Sequence, residues 1–210
     1  MTEPKQQTPR QSLDEIRDRL SKSQEVEVDP SGRLVERKPS RQTNQPPVEK
    51  TILKPQRWFT QRSKSDDSEV PLRLWYRENP ARLVLEKRAM QARFPQFELR
   101  RDGIKLVWYG SLESDRRSKR YIIALYYPDD FPARPPKVFP LDPAITIYRN
   151  PRQGDMLHQF NDGSLCLFHP SDRFFEINTT AATIIATTAV WLFAFENWEE
   201  TGKWVGPEAD

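Results

Sequence analysis

The chain has 210 residues, one cysteine, two histidines and a formal net charge of +3, from 33 basic and 30 acidic side chains. This length fits one domain with an extension or two small domains, and a single cysteine excludes an internal disulfide framework. The near balance of charge argues against a nucleic-acid-binding protein. No apolar run reaches the roughly 18 residues of a membrane span, and the polar N-terminus has no signal core, so we expect a cytoplasmic protein that binds no membrane.

Residues 1–70 differ from the rest of the chain in composition. They contain seven prolines, a dense mixture of charges and only two of the 23 aromatic residues, Trp58 and Phe59. Such a segment buries too little apolar surface to offset the entropy of ordering, which predicts a flexible, mostly disordered N-terminal arm. The aromatic pair either anchors a partner or folds back onto the domain.

One short stretch of this arm has helical spacing. Leu13, Ile16 and Leu20 recur at i, i+3 and i+7, Ser12 is placed as the N-cap, and Glu15 completes a capping box. The stripe predicts either a docking helix for a partner's groove or a transient helix in a disordered tail.

Residues 71–210 read as a globular domain that begins with a helix. Asn79 and Pro80 supply an N-cap and a first helical residue, and apolar residues recur at helical spacing up to Pro95. Three β-rich runs follow and predict an antiparallel meander with a turn at Asp102–Gly103. The runs are residues 97–101, 105–112 and 121–127.

A proline-rich loop and a second helix complete the predicted elements. Residues 127–138 hold four prolines, which fix φ and remove backbone donors, so this loop separates two strands. From Thr179 onward a stripe of apolar residues predicts a core-facing helix that stops near Gly202. The stripe consists of Ile184, Thr188, Trp191, Phe195 and Trp198. The domain is therefore expected to be α+β.

The cysteine and both histidines lie within twelve residues, from His158 through Cys166 to His169. Thiol and imidazole groups are the side chains that most readily gain or lose a proton near neutral pH, so this loop is a candidate for thiol chemistry or metal binding. The spacing offers only three ligands and matches no usual zinc arrangement. We expect neither a metal nor a cofactor.

Two motifs in this order resemble the ubiquitin-conjugating enzyme family. They are Tyr-Pro-x-x-Phe-Pro-x-x-Pro-Pro-x-Val at residues 127–138 and Asp-Gly-Ser-Leu-Cys-Leu at residues 162–167. Over residues 79–204 the resemblance implies the fold of that family, an antiparallel meander flanked by an N-terminal helix and C-terminal helices. The segment from Thr179 to Glu208 is similar to prokaryotic ubiquitin-conjugating-like proteins of antiviral defence operons, in the short form without a fused activating domain.

The resemblance implies a cysteine-thioester transferase. Cys166 falls on the thioester-forming cysteine, and His158 occupies the offset at which eukaryotic members carry an asparagine. The imidazole would then donate to an oxyanion or act as a base, or alternatively pin the loop through a backbone hydrogen bond. His169 is expected to be a bystander, and Asp172 and Glu176 are equal candidates for an acidic residue beside the acceptor amine.

The resemblance also implies partners. The acyl group would be the C-terminus of a cyclic-oligonucleotide synthase or of a ubiquitin-like protein, delivered with or without an activating enzyme. The alternatives are a non-catalytic binding module of the same fold, or a conjugating enzyme of a bacterial ubiquitin-like modification operon.

Overall fold

The computed structural model describes residues 9–36, 74–114, 119–145, 158–168 and 175–206, all within one compact unit. The helices are α1 (Pro9–Ser21), α2 (Trp75–Glu78), α3 (Pro80–Arg93) and α4 (Ala181–Thr201). The strands are β1 (Val26–Val28), β2 (Leu34–Glu36), β3 (Glu98–Asp102), β4 (Lys105–Ser114), β5 (Lys119–Tyr126) and β6 (Lys137–Asp142). The α+β class is confirmed. After the meander the described residues contain one helix, α4, where more than one was expected.

The predicted meander is present as a four-stranded antiparallel sheet in the order β3-β4-β5-β6. Asp102 pairs with Lys105 across the first hairpin, and Gly103 has a φ of 62°, a conformation that glycine adopts without strain. The proline-rich loop connects β5 to β6, as expected. Side chains alternate between the two sheet faces, so each face needs its own cover.

One face of the sheet packs on α3 and α4. Asn79 caps α3 by accepting a hydrogen bond from the Arg82 backbone N–H at 3.0 Å. The predicted stripe of α4 packs on this face, with Trp198 half-buried and the other four residues buried. The helix ends at Gly202, which has a φ of 71°. The apolar side chains that the sheet contributes to this core include Leu106, Trp108, Tyr121, Ile123, Leu125 and Val138.

The opposite face is covered by α1, which corrects the expectation of a mobile arm over residues 9–36. Leu13 and Leu20 are fully buried in a cluster with sheet residues. The partners of this cluster are Val107, Ala124, Phe139 and Leu141. The apolar stripe thus docks on the chain's own sheet, and the helix begins at Pro9 rather than after Ser12. The arm itself has too little apolar surface to fold alone, but the second apolar face of the sheet buries its leucines and so offsets the entropy of ordering it. The domain boundary at residue 70 stays a prediction.

The segment after α1 forms a hairpin that the sequence did not predict. β1 and β2 pair antiparallel, and Glu25 bridges to Arg100 of β3. The short helix α2 was also missed, and it buries Trp75 and Tyr76. Trp58 and Phe59 lie outside the described residues. In the described part of the chain, no helix has both the length and the apolar character needed to cross a bilayer.

Candidate functional site

The cysteine loop, residues 158–168, is built around a tight turn. The Phe160 N–H donates to the Ser164 carbonyl at 2.8 Å, and the Gly163 N–H donates to the Phe160 carbonyl at 2.9 Å. Gly163 has a φ of 85°, and a Cβ there would lie 3.3 Å from Leu13 Cδ2. The predicted Asp162–Gly163 turn is therefore present, and α1 packs directly against it.

The carboxylate of Asp162 holds the turn together. One oxygen accepts hydrogen bonds from the Ser164 N–H at 3.0 Å and the Ser164 hydroxyl at 2.6 Å. The other lies 2.7 Å from Lys137 Nζ on β6. Partial burial opposes ionisation of Asp162, but the hydrogen bonds from Lys137 and Ser164 outweigh it and lower its pKa. The turn is thus tied to the sheet by a charged group.

Gln159 fixes the loop from inside. Its side chain is buried, and Nε2 donates to the Ile145 carbonyl at 3.1 Å and to the Gly163 carbonyl at 2.8 Å. A buried amide that satisfies two carbonyls in this way resists displacement of the loop. Gln159 was not predicted as a site residue, because its partners are two backbone carbonyls that only the folded chain brings near it.

Cys166 is partly exposed, and the backbone around it is anchored on both sides. The Cys166 N–H donates to the His158 carbonyl at 2.8 Å, and the Leu165 N–H donates to the Val138 carbonyl on β6 at 2.8 Å. Sγ lies 3.9 Å from the Phe168 carbonyl oxygen, which is a weak contact. The thiol is therefore presented by a fixed backbone, in which the N–H groups of Cys166 and of the residue before it already have acceptors.

His158 joins the cysteine loop to the C-terminal helix. Its carbonyl accepts from the Cys166 N–H and, at 3.0 Å, from Trp191 Nε1 of α4. Its imidazole stacks on the indole of Trp204, with ring centroids 4.3 Å apart and planes at 12°. The φ of 50° is unusual for a non-glycine residue and is held by these contacts.

Trp191 and Trp204 are site residues that the sequence analysis did not place in the site. Trp191 was predicted to be a core residue of the α4 stripe, which is confirmed, but its hydrogen bond to the cysteine loop was not foreseen. Trp204 lies two residues after Gly202, beyond the end of α4. A large aromatic residue outside any periodic pattern was the one sequence signal that it packs on the site.

The other predicted site residues are only partly described. His169 and Asp172 lie outside the described residues. Glu176 is exposed, and its backbone N–H donates to the Thr179 hydroxyl at 2.9 Å. Within the described ranges, no group of three or more His, Cys, Asp and Glu side chains is placed to hold a metal ion.

A buried polar network connects α3 to the segment that enters α4. The Glu86 carboxylate accepts from the Ala181 N–H at 2.7 Å and from the Tyr127 hydroxyl at 2.9 Å, and it pairs with Arg82 at 2.8 Å. Arg82 also donates to the carbonyls of Ile177 and Thr179. A carboxylate at the first residue of a helix offsets the positive end of the helix dipole. Spacing of i, i+4 on α3 was the sequence signal for the Arg82–Glu86 pair.

Comparison with curated proteins gave no match. The sequence model of the family described as Type II CBASS E2 protein matches residues 86–210, which is more than half of the chain and includes the cysteine loop. The fixed, partly exposed thiol after a glycine turn, on an α+β scaffold with this meander, is in keeping with that match. This chain belongs to the Type II CBASS E2 protein family.

Proposed function

We propose that the chain is an E2-like acyl carrier in which Cys166 forms a thioester with the C-terminus of a partner protein and passes the acyl group to an amine. Membership of the Type II CBASS E2 family supports a conjugation role in antiviral signalling. The placement of Cys166 carries the proposal. It is the chain's one thiol, it is partly exposed, and its backbone is anchored to both His158 and β6.

The proposed reaction has two acyl transfers. In the first, the Cys166 thiolate attacks the activated C-terminal carbonyl of the donor protein, a carbon–sulfur bond forms, and the group that activated the carboxyl leaves. In the second, an amine attacks the thioester carbonyl, an amide forms, and the thiolate departs while the amine's proton passes to a base. A thiolate suits both steps because it is a strong nucleophile and a fair leaving group.

The hydrogen bonds around Cys166 bear on how the oxyanion of each step is stabilised. The N–H groups of Leu165 and Cys166 already donate to carbonyl oxygens at 2.8 Å, so they are committed to holding the loop. An oxyanion hole needs well-placed donors, and a side chain of the cysteine loop can supply one. We propose that the His158 imidazole is such a donor and that its stacking on Trp204 fixes the ring orientation.

Membership of the family supports the choice of partners. We propose that the acyl donor is the C-terminus of a cyclic-oligonucleotide synthase or of a ubiquitin-like protein encoded nearby, and that an activating enzyme can supply it. Mass spectrometry of the adduct would identify the donor by the mass added to the peptide that contains Cys166.

The test is co-expression with the products of the neighbouring genes, followed by a non-reducing gel. We expect an adduct that thiol reagents cleave, that is absent in Cys166→Ala, and that in Cys166→Ser is absent or resistant to thiols. The alanine variant removes the chain's only thiol. Equal thermal unfolding of wild type and Cys166→Ala would show that the substitution leaves the fold intact. A stable complex without any adduct would support the binding module instead, and an adduct that survives in Cys166→Ala would refute the assignment of the cysteine.

A further inference from the structure

Away from the cysteine loop, the β1–β2 hairpin, helices α2 and α3 and strand β3 line an open cavity. This cavity, the arginine cleft, has a volume of about 840 Å³. Its lining includes Arg33 beside β2, Arg77 of α2, Arg101 of β3 and Pro80 of α3. None of its lining residues belongs to the cysteine loop. A volume of this order is typical of sites for small organic ligands.

Arg33 of the hairpin, Arg77 of α2 and Arg101 of β3 line the cleft, and no acidic residue is among the described residues that line it. On the same hairpin, the carboxylate of Asp29 is used by its own turn. It accepts from the Ser31 hydroxyl at 2.6 Å and from the backbone N–H groups of Ser31 and Arg33. Basic and acidic groups are nearly equal in number over the whole chain. A cavity whose described lining has three arginines and no acidic residue is therefore a local excess of positive charge. Converging cations of this kind repel unless an anion joins them.

One of these arginines has an unused donor inside the protein. Nε of Arg101 is shielded from solvent and has no hydrogen-bond partner within the part of the chain that the structure describes. A buried donor left without an acceptor destabilises the folded chain, so buried donors are normally paired. An anionic ligand in the cleft would supply acceptors to the guanidinium group that lines it.

The cleft wall is fixed before any ligand binds. Gly32 has a φ of 83°, and a Cβ at this position would lie 2.4 Å from the Pro80 carbonyl oxygen, so the hairpin turn abuts the first residue of α3. Lys87 of α3 also donates to the Val28 carbonyl of β1 at 2.9 Å. The 14-residue helix α3 therefore presents its N-terminal end at the cleft, where its dipole favours an anion.

We propose that the arginine cleft binds a phosphorylated small molecule of nucleotide size through its phosphate groups. Guanidinium groups pair with phosphate oxygens in bidentate geometry, and the helix end adds to the positive potential. Leu34 and the ring of Pro80 line the same cavity and provide apolar surface for the rest of the ligand. This site is separate from the thiol chemistry and does not depend on the function proposed for Cys166.

Isothermal titration of the full chain with ATP, tripolyphosphate and adenosine tests the proposal. Arg33 and Arg77 are exposed, so the variant Arg33→Gln/Arg77→Gln removes two charges without disturbing the core. The matched control is Arg88→Gln/Arg93→Gln, which removes two exposed charges of α3 outside the cleft lining. We expect saturable binding of ATP or tripolyphosphate, weakened about tenfold or more in the cleft variant and unchanged in the control.

The three compounds also distinguish the ligand's source. Tighter binding of ATP than of tripolyphosphate indicates a nucleotide, and equal binding indicates recognition of the phosphate chain alone. Absence of saturable binding by both phosphate compounds overturns the proposal. Equal weakening in the cleft variant and the control also overturns it, because binding would then follow net charge and not the cleft.

Discussion

At the residue scale, His158 combines two features that a single substitution can separate. Its imidazole stacks on Trp204, and its backbone adopts a φ of 50° while its carbonyl accepts two hydrogen bonds. A donor role requires a side-chain N–H, whereas a purely structural role requires only an aromatic ring that stacks on Trp204. Asparagine and phenylalanine each preserve one of these properties and remove the other.

We therefore expect His158→Asn to keep thioester formation and His158→Phe to lose it. Asparagine tolerates a positive φ and retains a donor, so the loss of stacking, worth about 1 kcal/mol, should slow the reaction roughly fivefold. Phenylalanine keeps the stacking but cannot donate, which should slow adduct formation by about 100-fold or more. Single-turnover adduct formation on non-reducing gels gives both rates. The reverse order, with phenylalanine active and asparagine inactive, would show that His158 only positions the loop.

At the scale of elements, α1 links the N-terminal segment to the cysteine loop. Its buried leucines close the outer face of the sheet, and Leu13 also packs against Gly163 in the turn before the cysteine. Arg19 of α1 further donates to Asp102 at the end of β3 at 2.7 Å. The helix is thus part of the scaffold that supports the site.

Replacing Leu20 with alanine tests this packing. Leu20 is fully buried, so Leu20→Ala should lower the free energy of unfolding by about 2–5 kcal/mol. Lys22→Ala is the control on the same segment. It removes an exposed ion pair with Asp18, which contributes at most about 1 kcal/mol. Urea unfolding followed by tryptophan fluorescence measures both. Equal, small effects would mean that α1 does not pack on the sheet in solution.

The contrast between α3 and α1 shows what the sequence could predict. The start of α3, the stripe of α4 and the meander were foreseen because caps, turns and apolar periodicity are local signals. The docking of α1 was missed because it depends on a second apolar face of the sheet, in which Val107 and Ala124 alternate with residues of the first core. Strands β1 and β2 have three residues each, too few for a period-two pattern.

The site shows the same division between local and distant contacts. Cys166 and the Asp162–Gly163 turn were predicted from a short motif. Gln159 and Trp204 act through partners that only the tertiary structure brings near, namely the Ile145 carbonyl and the ring of His158. The Ala181 N–H that caps the network at Glu86 belongs to this second class too.

At the scale of the whole molecule, Glu86 connects the two long helices and the end of β5. Tyr127 donates to Glu86 and accepts from Trp108 Nε1 at 2.9 Å, so the network reaches from α4 through α3 into the sheet. Burial raises the pKa of Glu86 above its ordinary value of 4.5, although the Ala181 N–H and Arg82 oppose the shift. Burial, with the nearby charge of Glu86, likewise raises the pKa of Tyr127 well above 10.

The raised pKa of Glu86 makes the free energy of unfolding depend on pH with a defined sign. Because Glu86 has a higher pKa in the folded chain than in the unfolded chain, folding takes up a proton between the two values. The stabilisation is therefore fully present below 4.5 and is lost as pH rises through the folded pKa. The lowered pKa values of Asp29, Asp130 and Asp162 place their effects below 3.8, outside this range.

We expect the free energy of unfolding of wild type minus that of Glu86→Gln to fall as pH rises from 4.5 toward neutrality. The slope should reach at most about 1.4 kcal/mol per pH unit, because one proton is involved. Taking the difference removes the histidines, which titrate in both chains. Urea unfolding at half-unit pH steps gives the curve, and Glu113→Gln, which removes an exposed carboxylate on β4, is the control. If wild type instead gains stability relative to Glu86→Gln as pH rises, the folded chain favours the ionised carboxylate, and Arg82 and the helix end outweigh burial.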